Sequence, residues 1–162
     1  IKPEIAEVSP QFFKTTFANY ELIASENDRV FEYENRIYRS FMTDQLLLKQ
    51  LMTILFDNAI KYTEEDGKIE FVVHATDRHL YLSVTDNGIG ISAADKKKIF
   101  DRFYRVDKAR TRQKGGFGLG LSLAKQIVDA LRGTITVKDN KPRGTIFEVK
   151  IAIQSPPKRK NK

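Results

Sequence analysis

The sequence predicts an α/β (α+β) two-layer sandwich, in which a mixed, mostly antiparallel sheet of about five strands is covered on one face by about three helices. Stretches of helical apolar spacing interleave along the chain with stretches of strand-like alternation. Most predicted strands pair as hairpins, which favours a mixed sheet over a doubly wound parallel one. With 162 residues, 41% of them apolar and 30% charged, the chain is large enough for one domain with a proper core.

The first third of the chain predicts one helix followed by short extended segments. Apolar residues recur at helical spacing over about residues 10–28, with Ser9 placed as the N-cap and Pro10 in the first turn. The alternating stretch 30–34 predicts a strand, and a shorter extended piece follows near 37–41.

The middle of the chain predicts a long amphipathic helix and then a hairpin. Thr43 can cap this helix, which runs to about Tyr62 and directs one apolar face to the core. Two alternating runs, 68–75 and 79–85, are joined by the short turn 76–78, so we expect them to pair.

The last third predicts one more helix and a second hairpin. Helical spacing returns from Leu119 to Leu131, and Gly133 is expected to end this helix. Residues 134–138 and 145–153 then alternate across a turn and complete the sheet.

Composition excludes several kinds of site. The chain has no cysteine, which excludes disulfides, thiolate zinc sites and a cysteine nucleophile. No apolar run approaches the ~18 residues that a membrane-spanning helix needs. The net charge of +7 is concentrated in residues 95–114, which hold nine basic and three acidic side chains. Such a run is commonly a solvated face, but here it leads into a glycine-rich loop, and this combination suits a polyphosphate.

Near the end of the second predicted helix, Asn58 and Lys61 lie on the same face. A neutral amide oxygen is a suitable ligand for Mg²⁺, which takes few protein ligands beside phosphates and waters. The lysine could meet a phosphate group. Taken alone, a helical asparagine is more often a local hydrogen-bonding residue.

A first glycine cluster, Asp86-Asn87-Gly88-Ile89-Gly90-Ile91, follows a predicted strand. A carboxylate at the strand end can accept a hydrogen bond from an exocyclic amino group such as that of adenine. The glycines allow a tight turn and close approach of the backbone to a planar ring. The alternative is an ordinary Asp-Asn-Gly turn.

A second cluster runs directly into the third predicted helix, with glycines at 116, 118 and 120. Successive N–H groups and the helix N-terminus would point to one anion site. The cluster lacks the Gly-Lys-Ser/Thr of a P-loop and does not follow a strand as a dinucleotide fingerprint does. The alternative is a flexible loop before a helix. A third cluster, Gly144-Thr145-Ile146-Phe147, opens the last strand.

Together these motifs resemble the catalytic, ATP-binding domain of bacterial sensor histidine kinases, in the superfamily shared with gyrase, Hsp90 and MutL. Asn58 resembles the N-box asparagine, and 86–90, 100–105, 116–120 and 144–145 resemble the G1, F, G2 and last G boxes. The resemblance covers about residues 8–153 and implies the Bergerat ATP-binding fold.

The resemblance implies ATP and Mg²⁺ as cofactors and assigns roles by position. Asn58 would bind the metal, Lys61 and Arg105 the phosphates, and Asp86 the adenine amino group, with Thr145 beside it through a water. Residues 104–117 would form a lid. The implied nucleotide-binding residues are Asn58, Lys61, Tyr62, Asp86, Gly88, Gly90, Ile91, Tyr104, Arg105, Gly116, Gly118, Leu119, Gly120 and Thr145.

The chain departs from the family pattern at two motif positions. Ile54, four residues before Asn58, stands where the ATP hydrolases of the superfamily have a catalytic glutamate and many histidine kinases a second asparagine. A gyrase-like or Hsp90-like hydrolase is therefore not expected. Phe117 replaces the small hydroxyl residue usual in the G2 box. The only histidines, His74 and His79, are on a predicted hairpin, and we interpret both as structural.

The expected function is donation of the ATP γ-phosphate to a histidine on the separate dimerisation domain of a homodimeric kinase, which signals to a response regulator. The resemblance further implies a membrane-anchored receptor with this domain in the cytoplasm. Residues 1–7 would be a linker remnant, 8–153 the catalytic domain and 154–162 a basic disordered tail. Two alternatives stay open. One is a nucleotide-binding regulator without transfer activity, and the other is a nucleic-acid-binding module with steep salt dependence, for which we find no recognition motif.

Overall fold

The computed structural model of the protein describes residues 1–104 and 120–158. The predicted helices and strands follow one another in the expected order, and the structure adds the short strand Ala6–Val8 and the short helix Ala93–Lys96, which the sequence does not predict. In chain order the elements are β1 (Ala6–Val8), α1 (Pro10–Glu26), β2 (Val30–Arg36), β3 (Phe41–Thr43), α2 (Gln45–Tyr62), β4 (Lys68–Ala75), β5 (His79–Asp86), α3 (Ala93–Lys96), α4 (Gly120–Ala130), β6 (Thr134–Asp139) and β7 (Thr145–Ala152).

The main sheet has five strands in the order β2-β4-β5-β7-β6. Strands β2 and β4 are parallel, and every other neighbouring pair is antiparallel. A parallel pair requires a crossover, and the segment containing α2 supplies it. Strands β1 and β3 form a separate two-stranded antiparallel sheet. The predicted mixed, mostly antiparallel sheet is confirmed.

The core lies between one face of the main sheet and helices α1, α2 and α4. Aromatic side chains join α1 to α2: the Tyr20 ring stacks on Phe56 with centroids 4.2 Å apart and planes 5° apart. The Tyr20 hydroxyl also lies 2.8 Å from Oγ1 of Thr53. Burial raises the pKa of Tyr20, so this hydroxyl stays protonated. These contacts fix the middle of α2 against the rest of the core.

Helix α2 is capped one residue later than the sequence predicts. Asp44, not Thr43, is the N-cap, and its carboxylate accepts hydrogen bonds from the backbone N–H of Leu47 at 3.0 Å and of Glu4 at 2.8 Å. Thr43 is already part of β3 and pairs with Ala6 of β1. Because the helix begins at Gln45, the residue in the N-cap position is Asp44, and Thr43 lies one residue too early to cap it.

The chain ends extend the ordered structure slightly beyond residues 8–153. Residues 6–8 form β1, and Met42 bridges to Gln154, whose carbonyl accepts a 2.7 Å hydrogen bond. At the end of α4 the left-handed residue is Arg132, with φ +56°, rather than the expected Gly133. Within the described part of the chain, no helix is both long and apolar enough to cross a bilayer.

Candidate functional site

Three predicted site residues, Asn58, Lys61 and Tyr62, lie on one face of the last turns of α2 and are half-buried. Across residues 1–104 and 120–158, no side chain hydrogen-bonds to the Asn58 amide. The neighbouring Asp57 has a pKa raised by burial, and the charge of Lys61 opposes that shift. The end of α2 therefore offers a free amide close to one acidic and one basic group.

Arg29 holds the C-terminal end of α2, a role that the sequence analysis missed. Its Nη2 donates to the carbonyls of Ile60 at 3.0 Å and Thr63 at 2.8 Å, and its Nε donates to Oγ1 of Thr63 at 2.7 Å. The last carbonyls of a helix have no partner within the helix, so a cation with several donors stabilises them. A single arginine in a turn carries no sequence signal for this role.

Asp86, the last residue of β5, is 3% exposed. Its Oδ1 accepts a 2.9 Å hydrogen bond from the backbone N–H of Gly88, and the backbone of Thr145 also hydrogen-bonds the carboxylate. Burial raises the pKa of Asp86 to about 6, while the two backbone hydrogen bonds oppose the shift. The result is an oriented carboxylate that is ionised at pH 7 and available as a hydrogen-bond acceptor.

Residues 86–90, the Asp86 turn, pack directly on the end of α2. The backbone N–H of Ile89 donates to the carbonyl of Tyr62 at 3.0 Å. A Cβ atom added at Gly88 would lie 1.9 Å from that carbonyl oxygen, so only glycine fits at this position. The first glycine cluster therefore joins the helix carrying Asn58 to the strand carrying Asp86.

The third glycine cluster completes one edge of the fold, where the end of α2, the end of β5 and the start of β7 meet. Thr145, the first residue of β7, is paired with Asp86 and is 4% exposed. Gly144 has φ +110°, and a Cβ atom there would lie 1.9 Å from the carbonyl oxygen of Asp86. A Cβ atom at Gly90 would lie 3.5 Å from the carbonyl oxygen of Gly144. The structure thus brings the predicted Tyr62, Asp86, Gly88, Gly90 and Thr145 together.

Ile91 and Tyr104 lie on either side of α3. Ile91 is partly buried against the core. The Tyr104 hydroxyl donates a short hydrogen bond to Oδ1 of Asp95 in α3. This bond raises the pKa of Tyr104 and lowers that of Asp95. In this conformation the predicted nucleotide neighbour Tyr104 is therefore held by α3.

The first residue of α4, Gly120, lies against α2. A Cβ atom added to it would lie 3.6 Å from Cγ2 of Ile54, one turn before Asn58 on the same face. The N-terminus of α4 therefore packs on α2 one turn before the asparagine. Arg105 and the rest of the predicted lid after Tyr104 fall outside the described residues. The same holds for the G2 residues other than Gly120, which are Gly116, Phe117, Gly118 and Leu119.

Neither histidine lies at this edge. His79 begins β5 while Asp86 ends it, a separation of roughly 23 Å along an extended strand. His74 pairs with Tyr81, and the two rings stack with centroids 4.8 Å apart. Among the described residues, no three His, Asp or Glu side chains are grouped to hold a metal ion.

A family model described as "Histidine kinase-, DNA gyrase B-, and HSP90-like ATPase" matches residues 43–155. The chain belongs to this family. The predicted resemblance is thereby confirmed, and the matched range includes α2, the Asp86 turn and β7.

Similar proteins are sensor kinases. The chain is 81% identical over 160 residues to the sensor protein CiaH of Streptococcus pneumoniae, a match that covers 99% of this chain and 36% of that protein. It is 45% identical over 101 residues to the histidine-protein kinase ArlS of Staphylococcus aureus, covering 62% of this chain and 22% of ArlS. The chain therefore spans about a third of the length of its CiaH relatives.

Solved structures give the same result for the fold. The catalytic domain of the histidine kinase ThkA superposes with a TM-score of 0.78 at 26% identity, covering 94% of this chain and 99% of that one. ThkA in complex with the response regulator TrrA superposes with a TM-score of 0.75 at 25% identity, covering 93% of this chain and 42% of ThkA. The chain thus has the fold of histidine kinase catalytic domains.

Proposed function

We propose that this chain binds Mg·ATP at the edge where α2, β5 and β7 meet, and that it is the catalytic domain of a longer sensor histidine kinase. The observation that carries the proposal is the buried carboxylate of Asp86, oriented by two backbone hydrogen bonds beside the end of α2. Family membership supports ATP as the ligand.

On the adenine side, the ionised carboxylate of Asp86 accepts a hydrogen bond from the exocyclic amino group of adenine. Thr145 is paired with Asp86 and would share a bridging water with the adenine. Gly88 and Gly90 bring backbone rather than side chains to the ring, and Ile91 and Tyr62 supply neighbouring apolar surface. An adenine-specific pocket needs few polar groups if they are buried and fixed, as Asp86 is.

On the phosphate side, Asn58 would hold the magnesium ion. Its amide fits this role because it is half-buried and has no hydrogen-bond partner among the described residues. Since those residues contain no carboxylate cluster, phosphate oxygens and waters would complete the coordination. Bound Mg²⁺ neutralises phosphate charge. The phosphates would be contacted by Lys61 and by the backbone N–H of Gly120. Further contacts would come from the proposed lid 104–117 and its flank, through Arg105, Gly116, Gly118 and Leu119.

Phosphoryl transfer depends mainly on positioning and charge neutralisation, so the chain needs no nucleophile of its own. Because both histidines lie far from Asp86 along the hairpin, the acceptor would be a histidine on a separate dimerisation domain of the homodimer. The greater length of CiaH leaves room for that domain and for a membrane anchor. The ThkA–TrrA complex supports a response regulator as the next partner.

The test is a transfer assay. The chain is mixed with γ-labelled ATP, Mg²⁺ and the dimerisation domain of the full-length protein, and label is followed on each polypeptide. We expect label on the dimerisation domain, none on the chain alone, and strongly reduced label with Asp86→Asn. Absence of ATP binding by well-folded chain would contradict the proposal.

A second candidate is a nucleotide-binding regulator without transfer activity. Ile54 favours it, because this apolar side chain stands beside Gly120 and cannot help to hold a metal ion. Measurable Mg·ATP binding combined with an unlabelled dimerisation domain would favour this candidate over the kinase.

A further inference from the structure

The β6–β7 loop, residues 140–144, makes two side-chain hydrogen bonds to the backbone of the Asp86 turn. Nδ2 of Asn140 donates to the carbonyl of Asp86 at 3.0 Å, and Nε of Arg143 donates to the carbonyl of Gly88 at 2.8 Å. The sequence predicts only a turn for this loop. The two donor residues lie 54 and 55 positions after their acceptors in the sequence, and they bind the carbonyls on either side of Asn87.

The loop is also stabilised by hydrogen bonds of its own. The backbone N–H of Asn140 donates to the carbonyl of Gly144 at 3.0 Å, and Oδ1 of Asn140 accepts the backbone N–H of Lys141 at 3.0 Å. Since Oδ1 of Asn140 is fixed by the loop backbone, the loop conformation also sets the direction in which its Nδ2 points, toward the carbonyl of Asp86. Arg143 follows three residues later on the same short loop.

The Asp86 turn depends on such external contacts. The turn contains two glycines, of which Gly90 adopts φ +76°. Without outside contacts the backbone of the turn could therefore adopt many other conformations. The carboxylate of Asp86 is oriented by the N–H of Gly88, whose position follows the conformation of this turn. Hydrogen bonds that fix the carbonyls of residues 86 and 88 therefore also fix the Asp86 carboxylate, which would accept a hydrogen bond from adenine.

We propose that Asn140 and Arg143 are positioning residues of the nucleotide site, which fix the Asp86 turn in the shape that presents the carboxylate to adenine; this rests on the proposed function. Arg143 acts through geometry, because a planar guanidinium presents Nε to a carbonyl and a lysine cannot reproduce that donor. Its side chain is exposed, and no other partner of it is found in the described part of the chain.

The first measurement is amide hydrogen exchange by NMR without nucleotide. In Arg143→Gln and Asn140→Asp, the amides of Gly88 and Ile89 should exchange about tenfold faster, because the turn opens locally. The amide of Leu55 in α2 should be unchanged. Lys141→Gln, an exposed change in the same loop, is the matched control and should leave all of these rates unchanged.

The second measurement is calorimetric titration with Mg·ATP. Arg143→Gln and Arg143→Lys should both lower the affinity by about five- to tenfold, while Lys141→Gln matches the wild type. Full rescue by Arg143→Lys would mean that charge alone matters and would overturn the positioning role. Unchanged exchange at Gly88 and Ile89, or faster exchange with unaltered ATP affinity, would also overturn it.

Failure of this inference is separable from failure of the proposed function. If the wild-type chain gives no heat with Mg·ATP, the nucleotide site itself is wrong. The exchange experiment then still decides whether Arg143 and Asn140 hold the turn, because it needs no ligand. If the wild type binds and the variants bind equally well, only the positioning role is lost.

Discussion

The proposed adenine side and the proposed phosphate side of the candidate site are built differently. On the adenine side, Asp86 and Thr145 are nearly fully buried. The turn between β5 and α3 is joined by one backbone hydrogen bond to α2 and by two side-chain hydrogen bonds to the β6–β7 loop. On the phosphate side, Asn58 and Lys61 are half-exposed side chains on one helix face.

This difference indicates how the two ends of ATP would be recognised. A purine offers fixed hydrogen-bonding groups, which a rigid, desolvated acceptor distinguishes well because an unpaired buried group is costly. A triphosphate offers charge, which mobile side chains and a metal ion can neutralise without a preformed pocket. Changes on the adenine side should therefore damage both fold and binding, whereas changes on the phosphate side should reduce binding and leave the fold intact.

The largest effect is expected from Gly88→Ala. The new Cβ would meet the Tyr62 carbonyl at 1.9 Å, so the Asp86 turn must move away from α2. We expect a loss of about 3 kcal/mol in unfolding free energy and at least about a hundredfold loss of ATP affinity, measured by chemical denaturation and calorimetry.

The matched change on the phosphate side is Gly120→Ala. Its Cβ would meet Ile54 at 3.6 Å, an ordinary contact, and alanine favours a helix, so the free energy of unfolding should stay equal or rise. Equal destabilisation by the two glycine changes would contradict the contrast between the two sides.

The pH dependence of stability should be the next largest effect. The pKa of Asp86 is raised by burial to about 6 in the folded chain, against about 3.9 when unfolded. The folded state then binds the proton more tightly, so the contribution of Asp86 is favourable below about pH 4 and is lost as the pH rises through about 6.

Relative to Asp86→Asn, the wild-type chain should therefore lose about 2–3 kcal/mol of unfolding free energy between pH 4 and pH 7. Denaturant titrations of both proteins at several pH values measure this difference. A difference that is independent of pH would mean that Asp86 is hydrated or already paired with a cation.

Asp86→Asn itself should weaken Mg·ATP binding at pH 7 by about 1–3 kcal/mol, because the adenine amino group then faces an amide donor or a weaker acceptor. Calorimetric titration measures the loss, and a cooperative unfolding transition on heating shows that the variant is folded at the temperature of the titration. Unaltered affinity would count against the adenine assignment of this carboxylate.

The smallest effect is expected for Asn58→Ala, which should reduce Mg²⁺-dependent ATP affinity by about 1 kcal/mol with no change in unfolding temperature. Titrations with Mg²⁺ and with excess chelator separate the metal-dependent part. Gln50→Ala, an exposed change two turns earlier on α2, is the control. If the affinities with and without metal fall equally, the ligand role of Asn58 is wrong.

Most of the fold could be predicted because apolar periodicity and turn chemistry agree along this chain. Helices α1, α2 and α4 and both hairpins lie where the spacing places them. Strand β1 was missed because three residues are too few to show alternation. The cap of α2 moved to Asp44 because Thr43 is used by a strand pair that sequence spacing does not reveal.

The candidate site could be predicted in part because its motifs are glycines and an aspartate with distinctive backbone uses. The structure brings Tyr62, Asp86, Gly88 and Thr145 to one edge, as the motif order implies. Their roles with nucleotide stay predictions. The supporting bonds of Arg29, Asn140 and Arg143 run from side chains to carbonyls distant in sequence, and such contacts leave no local pattern.

The most direct test is a crystal structure of the chain with Mg²⁺ and a non-hydrolysable ATP analogue. The account predicts the adenine amino group within about 3 Å of the Asp86 carboxylate and the metal ion at the Asn58 amide. An analogue bound elsewhere, or an adenine ring that leaves Asp86 without a ligand contact, would contradict it.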